Sequence, residues 1–307
     1  HYNLATLLSV MNKVEEAELS FKQAIILNPK YYEAHYSLGL NYQLLGKLND
    51  SEESFRQALL LKPDSAEVHN NLGVILKQLG RLKEAEEKYK ESIALKSNFE
   101  DPYSNLGVIF KEMDRLEEAE DILRKALVIN PNNADTYTNL GVTLQELGRL
   151  EESIVFHEQA ISLKPDQAKL YNNIGVAYQL LGQVEKADKN FIKAIDIDPD
   201  YIDALMNRWL VLFERKEFKN ALKVADKCNT EISRLRSLET LFALERTEEI
   251  YQRIAMHSKS DETNIRVAAF SSFIANKEKR ETEHNFCKKP LDFLYFSNIS
   301  SHFQDSS

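Results

Sequence analysis

Cysteine is scarce: the 307 residues contain Cys228 and Cys287, in different contexts and with no CxxC pair. That excludes a disulfide scaffold and fits a reducing, cytoplasmic setting. No stretch approaches the ~18 uninterrupted apolar residues of a membrane span. No basic-then-apolar leader follows residue 1, which is His instead of Met, so the chain reads as a piece of something longer. A net charge of -9 without a basic block argues against a nucleic-acid partner, because such binding depends on Lys and Arg neutralising phosphates. The seven histidines form no HxD, HxxxH or HExxH arrangement, so no metal site is expected. Glycine-rich phosphate loops and a GxSxG elbow are also missing, so no cofactor and no catalytic residue is expected. Nine glycines and seven prolines leave little for linkers, and helices are the default reading.

The glycines that are present are ordered. Gly39, Gly73, Gly107, Gly141 and Gly175 lie 34 residues apart, each after Leu or Ile, and Gly46, Gly80, Gly148 and Gly182 follow seven residues behind members of that series. A glycine inside an amphipathic helix costs ~1 kcal/mol against alanine, so its recurrence calls for a closely packed second helix. Small residues (Ala17, Ala85, Ala119, Ala187) recur there, and Phe21, Phe55, Tyr89 and Phe191 stand four residues after that same column, rings that cover the small-residue contact. The second glycine series falls where a left-handed residue ends a helix, and Asn12 and Asp114 are tolerant substitutes. Pro29, Pro63, Pro131, Pro165 and Pro199 stop each second helix, Ser97 interrupts that series, and Asp101-Pro102 reads as an N-cap with a first-turn proline.

Tyr171-Asn-Asn-Ile-Gly175, Tyr178, Gly182, Ala187, Phe191, Ala194 and Pro199 resemble the tetratricopeptide repeat family, and the resemblance covers residues 1–228. It implies an all-α fold, a right-handed superhelical solenoid of helix-turn-helix repeats closed by C-terminal capping helices. The repeats are 1–31, 32–65, 66–99, 100–133, 134–167 and 168–201, with a degenerate one at 202–228 in which Trp209 takes the glycine place. Such a ring should keep that helix from approaching its partner, so the array should end or change curvature nearby. Residues 229–280 read as irregular capping helices, with Leu235, Leu238, Leu241 and Leu244 along one face and Ile250, Ile254, Ile265, Val267 and Phe270 along others. Residues 281–307 are a tail or the truncated start of another domain. The aromatic run from Phe286 to Phe296 resembles junctions where such repeats precede a 2-oxoglutarate/iron oxygenase or a sulfotransferase-like enzyme.

The resemblance implies a protein-interaction module that binds an extended peptide or partner protein on its concave side. Asn71, Asn105, Asn139, Asn173 and Asn207 share one phase, with Asn3 and Ser37 at the same place in the outer repeats. An amide supplies donors and an acceptor to a peptide unit, so a row of them holds a backbone with little regard to its sequence. The row is similar to the asparagine ladder of the O-linked N-acetylglucosamine transferase family, and it also reads as plain repeat consensus. Beside it run Val74, Val108, Val142 and Val176, then Lys77, Lys111, Gln145 and Gln179. Glu33, Glu67, Asp101 and Asp135 start first helices, favourably for the helix dipole, and should tint the groove negative, which suits a basic or neutral peptide. His157 reads as a hydrogen-bonded histidine between helices, and Cys228 as a small hydrophobe in the column of Ala58, Ala126, Ala160 and Ala194. Two alternatives stand beside the binding module: the substrate-recruiting arm of a larger enzyme, and self-association by stacking of an apolar end.

Overall fold

The computed structural model describes residues 1–228, 230–257 and 265–279. Readings that concern residues 281–307, Cys287 and the aromatic run among them, and the side chain of Ile265 lie outside the described residues. All regular secondary structure among the described residues is helical, and the chain forms an all-α repeat fold. It divides into two compact units, His1–Pro165 and Asp166–Ser307.

The first unit holds five helix pairs: α1 (Tyr2–Val10) with α2 (Val14–Leu27), α3 (Tyr32–Leu44) with α4 (Leu48–Leu61), α5 (Ala66–Gln78) with α6 (Leu82–Leu95), α7 (Glu100–Glu112) with α8 (Leu116–Ile129), and α9 (Ala134–Glu146) with α10 (Leu150–Leu163). The turn inside a pair is set by one left-handed residue. At Gly80 (φ 76°) the chain reverses while Gly80 N–H bonds Lys77 O and Arg81 N–H bonds Leu76 O, both at 2.9 Å, so carbonyls at the helix end are satisfied. Asn12 (φ 58°) and Asp114 (φ 59°) adopt the same conformation, as their residue types suggest. Second helices end two residues before the prolines, yet α6 ends at the same phase before Ser97, so proline is compatible with the stop and is not its cause. The Asp101-Pro102 reading needs correction: α7 begins at Glu100 behind Phe99, and both residues lie inside the first turn, where proline lacks only an N–H with no helical partner.

The glycine column is explained by the bulky side chains that lie on it, rings at four places and Leu123 at one, not by the alanines opposite. A Cβ built on Gly39 would fall 2.6 Å from Phe55, and one on Gly107 2.5 Å from Leu123; Tyr89 meets Gly73 and His157 meets Gly141 in the same way. The bulky side chain therefore lies on the glycine itself. The small column reaches the same backbone from beside it, where Ser51 Oγ donates to the Gly39 carbonyl at 2.7 Å.

Neighbouring pairs in this unit are joined by an ionic lattice. Glu18, Glu52, Glu86 and Glu120 each accept from a base one turn on and from a second base in the next pair. For Glu86 these are Lys90 (2.6 Å) and Arg115 (2.7 Å); for Glu52 they are Arg56 and Arg81, both at 2.7 Å. Burial opposes ionisation of Glu86, but the hydrogen bonds from Lys90 and Arg115 outweigh it and hold the carboxyl below its usual range. Ile154 occupies the next place in the row, and the lattice stops there.

The second unit contains α11 (Ala168–Leu180), α12 (Val184–Ile197), α13 (Ile202–Glu214), α14 (Phe218–Ala225), α15 (Glu231–Ala243), α16 (Thr247–His257) and α17 (Ile265–Glu278). Phe191 lies on Gly175 as in the first unit. One repeat later the sizes are exchanged: Trp209 stands at the glycine place and Ala225 at the ring place, and both lie in one buried cluster. The indole is 2 % exposed and its Nε1 donates to Thr240 Oγ1 of α15 at 2.9 Å. The steric conflict expected at Trp209 is thus relieved by the small Ala225, and the ring reaches α15. Leu238, Leu241, Ile250, Ile254, Val267 and Phe270 form the core of α15 to α17.

Candidate functional site

The asparagine row is set by helix phase. Asn71, Asn105 and Asn139 project from α5, α7 and α9 in the first unit, and Asn173 and Asn207 from α11 and α13 in the second; all five are half-buried. In the first unit α5 touches α7 and α7 touches α9, and in the second α11 touches α13, so the rungs within a unit lie on adjacent helices. One turn on, Val74, Val108, Val142 and Val176 are also half-buried, as are Lys77, Lys111, Gln145 and Gln179 a further turn along.

The rungs differ in what they already bond. Asn71 Nδ2 donates to Tyr36 Oη at 3.1 Å, Asn105 Nδ2 to Asn70 Oδ1 at 3.1 Å, and Asn207 Nδ2 to Asn172 Oδ1 at 2.9 Å. Each time the acceptor sits one residue before the rung's phase in the preceding repeat. Asn173 and Gln145 are engaged within the protein as well. At Asn139 the corresponding group, the Ser104 hydroxyl, lies instead 2.9 Å from Thr136 Oγ1, whose own proton is shared with Glu100 Oε1 at 2.8 Å, and no described residue bonds the Asn139 side chain. A primary amide carries two donors and a carbonyl, so Asn71 and Asn105 keep donor capacity while Asn139 keeps all of it. Tyr36, Asn70, Ser104, Thr138 and Asn172 were legible as the residues preceding the ladder, but that Tyr36, Asn70 and Asn172 accept from its rungs was not.

The charges differ from the expected negative tint. Lys96 bonds Glu67 and Lys164 bonds Asp135, each at 2.9 Å, so two of the four acids are matched by lysines at the end of the same repeat. The Lys96 hydrogen bond holds the Glu67 carboxyl below its usual range. In the second polar row Lys77 pairs with Glu112 at 3.0 Å and Lys111 with Glu146 at 3.7 Å. These pairs weaken the negative tint without removing it, since Glu33 and Asp101 form no ion pair among the described residues.

The reading of His157 also needs revision. His157 is fully buried, but neither ring nitrogen has a hydrogen-bond partner, and burial lowers its pKa to about 4. It is an interface ring, as expected, and it is not satisfied. Cys228 packs as a small hydrophobe on the cluster of Trp209 and Ala225, though it is half-buried where Ala58, Ala126, Ala160 and Ala194 are wholly buried, and it lines a cavity. Among the described residues no group of three or more His, Cys, Asp or Glu is placed to hold a metal, and no helix is long and apolar enough to cross a membrane.

The chain is similar to known repeat proteins. Tetratricopeptide repeat profiles match residues 31–98, 100–166 and 168–201. No curated protein matches it. Among solved structures, YrrB, described as a TPR protein with an unusual peptide-binding site, is 24% identical over 61% of this chain and 96% of its own, with a TM-score of 0.51. PilW, a type IV pilus biogenesis factor, is 24% identical over 67% of this chain and 95% of its own, with a TM-score of 0.62. A tetratricopeptide repeat protein of Parabacteroides merdae is 18% identical over 78% of this chain and 97% of its own, with a TM-score of 0.63. At these identities the structural likeness concerns the fold alone, whereas the profile matches together span more than half of the sequence. With its helix pairs, glycine column and left-handed turns, the chain belongs to the tetratricopeptide repeat family.

Proposed function

We propose that the chain is a non-catalytic protein-interaction module whose first unit holds an extended peptide segment along Asn71, Asn105 and Asn139. The observation that carries this reading is Asn139, a half-buried amide on the ladder face with no side-chain hydrogen bond to any described residue. A polar side chain in that position gains most from a ligand that supplies both a carbonyl and an N–H, and a peptide unit does so. Val74, Val108 and Val142 give the same face a shallow apolar strip against which a peptide side chain loses water. With Glu67 and Asp135 paired and Glu33 and Asp101 not, the charges suit a neutral or mildly basic segment. Asn173, Val176 and Gln179 with Asn207 offer a corresponding face on the second unit by itself.

A peptide selected on the wild-type chain from a random display library provides the test. Asn139→Ala should weaken its binding by roughly 2- to 10-fold, one net hydrogen bond, with helicity unchanged. The Asn71, Asn105 and Asn139 triple alanine variant should weaken it further. Equal affinity of that triple variant and the wild type would remove the ladder from the binding site.

A further inference from the structure

We infer that the peptide face of the first unit carries a proline subsite at Tyr36 and Ser37, so that the segment it takes has a proline beside the residues lying on Asn71, Asn105 and Asn139. The inference rests on the peptide reading above and adds a residue preference to it. The ladder changes character at this end. Ser37 stands at the phase of the asparagines, and Tyr2 and Tyr36 stand where Asn70, Ser104 and Thr138 precede the later rungs. The relation between the two rows is kept: Ser37 Oγ lies 3.4 Å from Tyr2 Oη, as Asn71 Nδ2 lies 3.1 Å from Tyr36 Oη. An asparagine rung can accept from a peptide N–H with its carbonyl while its amide donates elsewhere. A serine has one hydroxyl for both tasks, and that of Ser37 already meets Tyr2. The peptide residue opposite Ser37 is therefore the one least rewarded for an N–H, and proline has none.

The tyrosines supply what a proline ring packs on. Tyr32 and Tyr36 are one turn apart on α3, both half-buried, with rings 5° from parallel and centroids 6.3 Å apart. Each is held by the core behind it: the Tyr36 ring lies 6.0 Å from that of the fully buried Phe55, and Tyr32 Oη lies 2.8 Å from Oγ of the buried Ser65. Lys62 Nζ already lies over the Tyr32 ring at 5.2 Å, so the contact with a ligand falls chiefly to Tyr36. Tyr36 Oη accepts from Asn71, and no described residue takes the hydroxyl's own proton. Burial raises the Tyr36 pKa, so the phenol keeps that proton and can donate it to a peptide carbonyl. Proline retains its carbonyl, and it holds the chain in the extended polyproline conformation, whose carbonyls form no internal hydrogen bonds. Its ring loses water against an aromatic surface, the mode by which proline-containing segments dock in aromatic-lined grooves.

Selection of a random peptide display library on the full chain, followed by anisotropy titration of a selected peptide and its proline-to-alanine counterpart, tests the subsite. Selected peptides should be enriched in proline at one position, and the alanine counterpart should bind roughly 2- to 10-fold more weakly, the range of a specific aromatic contact. Tyr36→Leu should abolish that difference. Ser37→Asn, which installs the residue of the other rungs, should shrink or reverse it by rewarding an N–H. Ser37→Asn carries the test if Tyr36→Leu loses helicity. No enrichment of proline, or the same proline effect in the wild type and both variants, would overturn the inference. The Asn105→Ala, Asn139→Ala double variant separates it from the reading it rests on. Weaker binding with the proline effect retained supports both. Weaker binding of peptides that show no proline effect keeps the ladder and removes the subsite, and unchanged binding with a Tyr36-dependent proline effect keeps the subsite and removes the ladder.

Discussion

The imidazole of His157 lies on the backbone of Gly141, so close that a Cβ on that glycine would fall 2.5 Å from Cε1 of the ring. In the same row Phe55 meets Gly39 and Phe191 meets Gly175. The histidine thus occupies an aromatic site while leaving both nitrogens unbonded. His157→Phe removes two buried, unbonded polar atoms without changing the ring's place. It is expected to raise stability by ~1–3 kcal/mol in urea denaturation at neutral pH.

Acidity should expose the same defect. The folded-state pKa of about 4 lies below the ordinary 6.5, so between those values the unfolded chain binds a proton that the folded chain does not. The stability associated with neutral His157 is complete above about pH 6.5 and is lost as pH falls towards 4, by on the order of 3 kcal/mol. Urea midpoints of wild type and His157→Phe measured from pH 7 to pH 4 should diverge over this window. Parallel curves would show that His157 does not titrate with folding.

Gly107→Ala tests the close approach without changing polarity. The added methyl would meet Leu123 Cγ at 2.5 Å, a contact that must displace α8 or force Leu123 from its rotamer. A loss of ~1–3 kcal/mol is expected, with partial recovery in the double variant Gly107→Ala, Leu123→Ala. Thermal unfolding of the four proteins in that cycle measures the coupling.

Glu86 is the joint between the third and fourth pairs. Glu86→Gln leaves Lys90 and Arg115 without their shared carboxylate, and about 1 kcal/mol of destabilisation is expected because both bases are partly solvated. The depressed pKa of Glu86 means its contribution is present above the usual carboxylate pKa and is lost as pH falls through the lower folded value. Wild type and variant should therefore differ at pH 7 and converge in acid, which chemical denaturation at the two pH values would show.

Trp209 should be coupled to Thr240. Trp209→Phe keeps a ring in the cluster but removes the Nε1 donor bonded at 2.9 Å, and Thr240→Val removes the acceptor. Each change is expected to cost ~1 kcal/mol or more, and the double variant less than the sum, since neither leaves the other unpaired. Strict additivity in a double-mutant cycle would rule out that bond.

The helix pairs, their left-handed turns and the glycine column were legible in the sequence because each depends on local conformation or on a contact repeated at fixed phase. A column such as Gly39, Gly73 and Gly107 writes the same environment several times over. The tertiary structure decided what depends on distances between helices. Asn71 and Asn105 bond the preceding repeat while Asn139 does not, although Ser104 stands at the matching place, beside Thr136. Glu67 and Asp135 are matched by lysines 29 residues away, and Glu86 shares Arg115 over the same separation. His157 has the phase of an interface ring, but whether its nitrogens find partners depends on every helix around it. The cavity beside Cys228 exists only because α14, α15 and α16 converge, where the 34-residue phase that made the rest readable has ended.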